Sequence, residues 1–375
     1  MTDLAEFQRS AADWLASAAD GAPPDYGAIC PPHLVGAGVE WHRRIHAAGF
    51  AGIHWPVDVG GRGLSREHNA VWQYECARVG VPAAFNMVGL VLTAQALLAV
   101  GTDEQRHEHL PATVRGDRLW CQLFSEPGSG SDLASLSTSA ELDGDQFVVN
   151  GQKVWCSGGR YSDWGILLAR TDRTAPRHAG ISFFLVDMST PGVDVRPLRQ
   201  MTGDAEFDEV FFTDVRVPAA NLLGPLDGGW GVAMRVLTDE RGHIGTAVIG
   251  LERRLEQLAA LADGHDLDPV RRHRLIDLMM RGTAARSLAA RQGAGATVAG
   301  SLLKLGITEM GFDVATFRVD RSGPSAMLDT SDSAALLAAP GGRIAGGTSQ
   351  VQRNIIGERL LGLPREPNPN PRSQT

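Results

Sequence analysis

The chain is poor in several things, and each shortage excludes something. Only four cysteines occur in 375 residues: Cys30, Cys76, Cys121 and Cys156 stand singly, without the spacing of a metal site or a disulfide framework. They suit a reducing compartment such as the cytoplasm, where an isolated cysteine behaves as a small apolar residue. Positive charge is not in excess, since 35 Lys and Arg stand against 43 Asp and Glu, a formal net charge of −8. That balance argues against a general phosphate-backbone binder, so no nucleic-acid partner is expected. A basic-then-apolar leader is missing from MTDLAEFQRSAADWLASAAD, so no secretory signal is expected. The most apolar window, VPAAFNMVGLVLTAQALLAV at 81–100, is interrupted by Pro82, Asn86, Thr93 and Gln95. It predicts a buried core helix and no membrane span. Internal repeats and long charge runs are lacking as well.

What is present falls into three stretches. Residues 1–118 carry helical patterns broken by GAPPDYGAICPPH and IHWPVDVGGRGLS, with Ser65 placed to cap the helix REHNAVWQYECARVG. Within them His107 and His109 lie two apart, so a solvated helix face is expected. His42 and His46, flanked by Arg43 and Arg44, predict a polar surface helix. Over 119–226 the period shortens to β-rich runs (WGILLAR, ISFFLVDM, VDVRPL, DEVFFTDVRVP) with Asp-Gly and Asn-Gly turns, which predicts an antiparallel barrel or sandwich. Over 227–363 helices return, at about 228–263 and 267–292 and onward to about 318. A loose Gly/Ser/Asp/Ala/Pro segment at 322–342 then leads to a final helix at 349–361, and 364–375 reads as a disordered tail. The fold class is mainly α with a central β-domain.

Two segments carry the chemistry. SEPGSGSD, inside WCQLFSEPGSGSDLASLSTSA (120–140), offers bare backbone, several hydroxyls and an acid; alone, a Gly/Ser loop is a weak signal. NGQKVWCSGG sets Trp155 two residues before Ser157 at a strand end. A ring and a hydroxyl so placed suit a flat aromatic ligand, one face shielded and a ring nitrogen hydrogen-bonded, although an ordinary core tryptophan fits as well. In RIAGGTSQVQRN, Ser349 and Gln352 have capping-box spacing, which predicts a helix start whose free amides favour anionic or acceptor atoms.

Together these motifs resemble the acyl-CoA dehydrogenase family. The resemblance runs through WPVDVGGRGLS, YECARVG, FSEPGSGSDL, NGQKVWCSGG, VPAANLLG, LTDERGHIG and IAGGTSQVQRNIIGERLLGLPR, in order along the chain. It implies an N-terminal helical domain, a middle β-domain and a C-terminal four-helix bundle, with FAD held between the middle and C-terminal domains. The implied reaction is α,β-desaturation of an acyl-CoA, or acyl-carrier, thioester, with electrons passing to an electron-transfer flavoprotein. Carried over by position, Gln122, Phe124 and Ser125 line the isoalloxazine and Ser131 faces the phosphates. Trp155 shields the ring, Ser157 lies near N5, and Thr348 and Gln350 meet the cofactor at the helix start.

Desaturation needs a carboxylate to accept the α-proton while hydride passes to the flavin. Much of the family carries that glutamate directly before the Gly-Thr pair of the last motif, where this chain has Gly346. Isovaleryl-CoA dehydrogenase-like members carry it instead on the first long C-terminal helix in an LxxER pattern, which LTDERGHIG matches at Glu240. Helical spacing agrees: Leu237, Glu240, Ile244, Ala247 and Leu251 share one stripe, whereas Asp239 shares a face with Arg235 and His243. A carboxylate on an apolar stripe is costly unless paired or used, so Glu240 is either the base or the partner of a buried arginine. Arg241 is assigned to the thioester end of the substrate or to holding the helix.

The chain departs from the family in two places. LADGHDLDPVRRHR lacks the Arg-x-x-Phe-Gly loop that meets a neighbour's FAD, and VDRSGPSAMLD replaces a Gln-x-x-Gly-Gly stretch. Both homo-oligomers and mixed α2β2 tetramers therefore stay open. So do two other functions, a flavin monooxygenase or oxidase on the same fold and a non-catalytic subunit of a mixed tetramer.

Overall fold

A computed structural model of the chain describes residues 3–26, 29–242, 250, 255–256, 258–260, 267–290 and 296–365. The chain packs as two units, Met1–Glu240 and Arg241–Thr375.

Among the described residues of the first unit, helices come first: α1 (Leu4–Ala18), α2 (Val35–Ala47), α3 (Arg66–Val79), α4 (Ala94–Val100) and α5 (Asp103–Arg115). In α1, Phe7, Ala11, Leu15 and Ala18 recur at helical steps and are the buried residues, so the periodicity of the opening segment fixes its packing face. Ser65 stands at the N-cap of α3, but its hydroxyl is paired with His68 Nδ1 at 2.9 Å instead of with a helix amide. Thr102 and Gln105 close a full capping box on α5. The apolar window 81–100 enters the core through a π turn at Val88–Thr93 that runs into α4.

Two histidines depart from the surface expected of them. His42 is buried, with Nε2 3.0 Å from the Val114 carbonyl, while His109 is buried with Nδ1 2.6 Å from an Arg118 nitrogen. His107 stays exposed. For His42 the charged neighbours mislead, because a helix turns its partner-bearing face away from them: Arg44 reaches the carbonyls of Ala18 and Gly21 while His42 points inward. For His109 the two-residue step from His107 does put the two on different faces, and His109 takes the inner one.

The strands are β1 (Trp120–Leu123), β2 (Ser139–Asp143), β3 (Gln146–Ser157), β4 (Trp164–Arg170), β5 (Ile181–Asp187), β6 (Val193–Leu198) and β7 (Phe207–Pro218). They form one curled sheet in the order β1-β4-β2-β3-β7-β6, with β5 also on β4. Pairing is antiparallel for β2–β3, β3–β7, β6–β7 and β4–β5, as the hairpin turns predict; β1 instead lies parallel to β4. The continuous apolar runs of β4 and β5 have a simple cause. Ile166, Leu168, Phe183 and Leu185 face the helical core, whereas Leu167, Ala169, Phe184 and Val186 face the interior of the sheet. Both faces are covered, so alternation disappears from the sequence.

Helix α6 (Gly229–Gly242) starts hard against β5. A Cβ on Gly229 would collide with the Ser182 carbonyl carbon and stand 2.5 Å from the Phe183 nitrogen, so only glycine fits. Val232, Ala233 and Val236 of this helix are buried in the first unit's core. Of the helix expected over 228–263, the described part is Gly229–Gly242 together with 250, 255–256 and 258–260; the rest lies outside the described residues.

In the second unit α7 (Pro269–Ala290), α8 (Ala296–Ser322), α9 (Ser331–Ile344) and α10 (Ser349–Ile355) are described, α10 continuing as a π turn over Ile356–Leu360. Leu255, Leu258, Leu275, Leu278, Met310, Val314 and Phe317 form its core. Arg274–Asp320 at 2.7 Å ties α7 to α8, and Arg318–Asp332 at 2.6 Å ties α8 to α9. The segment 322–342 is mostly helical, not loose. Ser331–Ile344 is capped by Thr330, which accepts from the Ser333 amide at 3.2 Å, and its Ala/Leu-rich middle has high helix propensity. Pro340, Gly341 and Gly342 fall near the end of the helix, where they interrupt little. Among the described residues no helix is long and apolar enough to cross a membrane.

Candidate active site

The site begins with a break in β3. The register of β3 against β7 shifts between Lys153 and Cys156, and within that bulge Trp155 has φ +62°. The bulge turns the indole outward, 55% exposed, while its neighbours Val154 and Cys156 are buried. A left-handed conformation costs a non-glycine residue about 1–2 kcal/mol and persists only where the surroundings over-determine it. An exposed aromatic held in such a conformation is not a core tryptophan. The edge of the Phe207 ring supports it, centroids 5.7 Å apart at 81°. Ser157, half-buried, pairs with Phe207 two residues further along β3.

A buried ion pair lies two residues before Trp155. Lys153 Nζ lies 2.8 Å from Glu126 Oε1 and donates also to the Phe124 carbonyl at 3.0 Å. Glu126 accepts in addition from the Ser137 amide (2.7 Å), the Ser137 hydroxyl (2.8 Å) and the Thr138 amide (2.9 Å), so its oxygens are satisfied on all sides. Burial raises the Glu126 carboxyl, but the Lys153 charge and hydrogen bond outweigh it and hold the group at about 2. Burial lowers Lys153 against the pull of Glu126. Breaking a pair buried this deeply, by removing one partner, costs about 3–5 kcal/mol. The Val154 amide adds a bond to the Ser125 carbonyl at 2.9 Å. Residues 124–126 and 153–154 are thereby stitched together, which brings Phe124 and Ser125 close to the segment carrying Trp155 and Ser157; Gln122 pairs with Ile166 of β4. Phe124 itself is buried, its ring edge-on to Phe183, so it presents only backbone to a ligand.

The loop after Ser125 is tight and open. Glu126 and Ser129 exchange both backbone hydrogen bonds at 3.0 Å around Pro127 and Gly128. A Cβ on Gly128 or Gly130 would meet nothing within 4 Å, and Ser131 is exposed. Ser129 Oγ is buried without a hydrogen-bond partner. An exposed flat ring, a half-buried hydroxyl beside it, bare loop backbone and an orphaned hydroxyl fit a large flavin nucleotide. After β3 the turn is set by buried Asp208, which holds Arg160 Nε at 2.6 Å and accepts from the Arg160 amide at 3.0 Å. Burial pushes the Asp208 carboxyl up, with Arg160 opposing.

In the second unit Gly346 and Gly347 have φ +63° and +93°, conformations that side chains resist. Thr348 is the N-cap of α10, accepting from the Val351 amide at 3.2 Å, which corrects the expected Ser349–Gln352 capping box. Ser349 donates instead to Glu309 at 2.7 Å, and Gln352 reaches back to the Gly346 carbonyl at 3.1 Å. The left-handed glycines displace the cap by one residue. Ser349, Arg343 and Arg353 together hold the Glu309 carboxyl below its usual range. Gln350 is exposed. Glu240 and Arg241 lie within α6, but their side chains fall outside the described residues.

Reading the sequence missed Glu126, Lys153, Asp208 and Arg160. A faint signal existed for Lys153: it falls among the buried positions of β3, where a lysine requires a partner. The partner, 27 residues earlier, has no such signature.

The models for the acyl-CoA dehydrogenase N-terminal, middle and C-terminal domains match residues 34–117, 121–215 and 227–361. Acyl-CoA dehydrogenase IpdE1 of Mycobacterium tuberculosis is 39% identical over 98% of this chain and 99% of its own. A solved structure described as the Tcur3481-Tcur3483 steroid ACAD superposes with a TM-score of 0.82 at 26% identity, over 97% of this chain and 98% of that one. The ChsE4-ChsE5 complex from Mycobacterium tuberculosis superposes at 0.78 with 26% identity, over 98% and 99%. The chain belongs to the acyl-CoA dehydrogenase family, has that family's fold, and is an FAD-dependent oxidoreductase of it.

Proposed function

We propose that the chain performs α,β-dehydrogenation of a bulky, steroid-derived acyl-CoA thioester, with Glu240 as the base. The observation that carries the flavin half is Trp155, exposed and left-handed on a bulge beside Ser157. Bound FAD supplies the acceptor for the β-hydride. Trp155 covers one face of the ring system, Ser157 donates a hydroxyl at its edge, and the Phe124–Ser125 backbone borders it. Gln122 borders the ring system too, and Ser129 and Ser131 supply hydroxyls toward the nucleotide part; in the second unit, Thr348 and Gln350 offer a hydroxyl and an amide to the cofactor at the start of α10.

Glu240 is supported by elimination and by position. The family's common base position holds Gly346, whose left-handed backbone side chains resist. Helix α6 buries Val232, Ala233 and Val236, and position 240 comes four residues after Val236 in that helix. Glu240 then accepts the α-proton, and Arg241 orients the thioester end. The steroid class rests on the solved neighbour described as a steroid ACAD. That neighbour and the ChsE4-ChsE5 complex each bear two protein names, which favours a mixed oligomer with a second subunit. An electron-transfer flavoprotein takes the electrons onward.

Glu240→Gln in the FAD-loaded protein tests this reading. Loss of a positioned general base lowers the rate by about 10²–10⁴. Anaerobic mixing with a steroid-side-chain or ring-derived acyl-CoA should bleach the wild-type flavin quickly and the variant barely. Equal bleaching rates would rule out Glu240, and bleaching only by straight-chain substrates would rule out the substrate class.

A further inference from the structure

We propose that Lys153 and Glu126 are positioning residues of the cofactor face, holding the Trp155 indole and the Phe124–Ser125 backbone in one fixed relation. The inference rests on the flavin reading above for its ligand, but its geometry stands alone.

Four observations converge. Lys153 occupies the last paired position before the break in β3–β7 register that contains Trp155. Its ammonium spans from β3 to two points on the opposing segment, the Phe124 carbonyl and the Glu126 carboxylate. The neighbouring Val154 amide binds the Ser125 carbonyl, so the two segments are joined at consecutive residues. Glu126 in turn carries the Ser137 and Thr138 amides, which brings the far end of the Gly/Ser loop to the same carboxylate. One carboxylate therefore fixes both ends of the loop that follows Ser125, and one ammonium fixes the approach to Trp155.

Stability alone is a poor reason for such a pair. Burying two charges carries a heavy desolvation penalty for each ion, and apolar replacements of equal volume often stabilise as well or better. Conformational specification is the better-attested use of a buried polar contact, and here the thing needing specification is adjacent: a tryptophan in a conformation it would not choose. Lys153 and Glu126 reach no ligand themselves; they act through Trp155, Phe124 and Ser125.

The test uses the full chain labelled with 5-fluorotryptophan, the Trp155 ¹⁹F line being identified by its loss in Trp155→Phe. Lys153→Met and the charge-free double variant Glu126→Gln/Lys153→Met are compared with Lys153→Arg. Without FAD, both charge-removing variants should move or split the Trp155 line and leave the other tryptophan lines in place. FAD titration should show at least about tenfold weaker binding in both. Lys153→Arg, which keeps the charge and can reach the same oxygens, should recover the line and the affinity. A Trp155 line and an FAD affinity unchanged in the double variant, which leaves no charge unpaired, would overturn the proposal even if Lys153→Met fails to fold. Should the wild-type chain bind no FAD, the flavin reading falls, while the ¹⁹F comparison still decides whether the pair positions Trp155.

Discussion

Acidification between pH 7 and 5 should act mainly on two buried histidines, and the effect can be worked from the structure. Burial lowers His42 to about 4, opposed by its bond to the Val114 carbonyl, and lowers His109 to about 4 with help from the Arg118 charge; the ordinary value is 6.5. A histidine lowered in the folded state binds its proton preferentially when unfolded. Stability is therefore greatest above 6.5 and falls as the pH drops toward 4. Between pH 7 and 5 the linkage amounts to about 2 kcal/mol per histidine, rising to about 3 kcal/mol each below pH 4. The assay is chemical denaturation at pH 7 and pH 5 of wild type, His42→Gln, His109→Gln and the double variant. Each single variant should start less stable at pH 7 yet lose about 2 kcal/mol less on acidification, and the double variant about 4 kcal/mol less. Other shifted groups, among them Glu206 and Asp208 raised by burial, cancel in the difference between wild type and variant. Identical losses in wild type and double variant would refute the burial argument. Glu126 does not interfere, because a carboxyl held at about 2 gives stability that is lost only as the pH falls from about 4.5 through 2.

Three further outcomes are expected. Gly229→Ala should destabilise by about 3 kcal/mol or more, since its methyl would overlap the Ser182–Phe183 backbone, and thermal unfolding reads this directly. Thr348→Ala should cost about 1 kcal/mol through loss of the α10 cap, whereas Thr348→Ser should retain it; denaturation midpoints distinguish the two. Gly346→Ala should cost about 1 kcal/mol for a side chain at φ +63°, and Gly346→Glu in the Glu240→Gln background should leave flavin bleaching unrestored because the backbone there is wrong for the task.

How much of this was legible beforehand depends on the range of the interaction involved. Local signals are legible: the β-rich runs are strands, the amphipathic opening is a helix, and the bare Gly-Gly-Thr precedes a helix start, as φ values of +63° and +93° explain. Small local choices went astray where one hydrogen bond decided between neighbours, as when Thr348 rather than Ser349 took the cap. Composition misled at 322–342, because glycine and proline near a helix end look the same in sequence as glycine and proline in a loop. Charged neighbours point His42 to the surface and the two-residue step from His107 points His109 there; only the packing of α2 against Val114 and of α5 against Trp120 and Trp164 shows them inside.

The sequence by itself determined the family, the helix–strand–helix plan and the absence of a glutamate at position 346, since each resides in residue identity and order. Only the tertiary structure decided that Trp155 stands outward on a bulge, and that Lys153 and Glu126, 27 residues apart, share a buried bond. The reason is physical. A backbone conformation at one residue and a charge pair across two segments are properties of the enclosing packing, which low dielectric makes stringent and which no local pattern encodes.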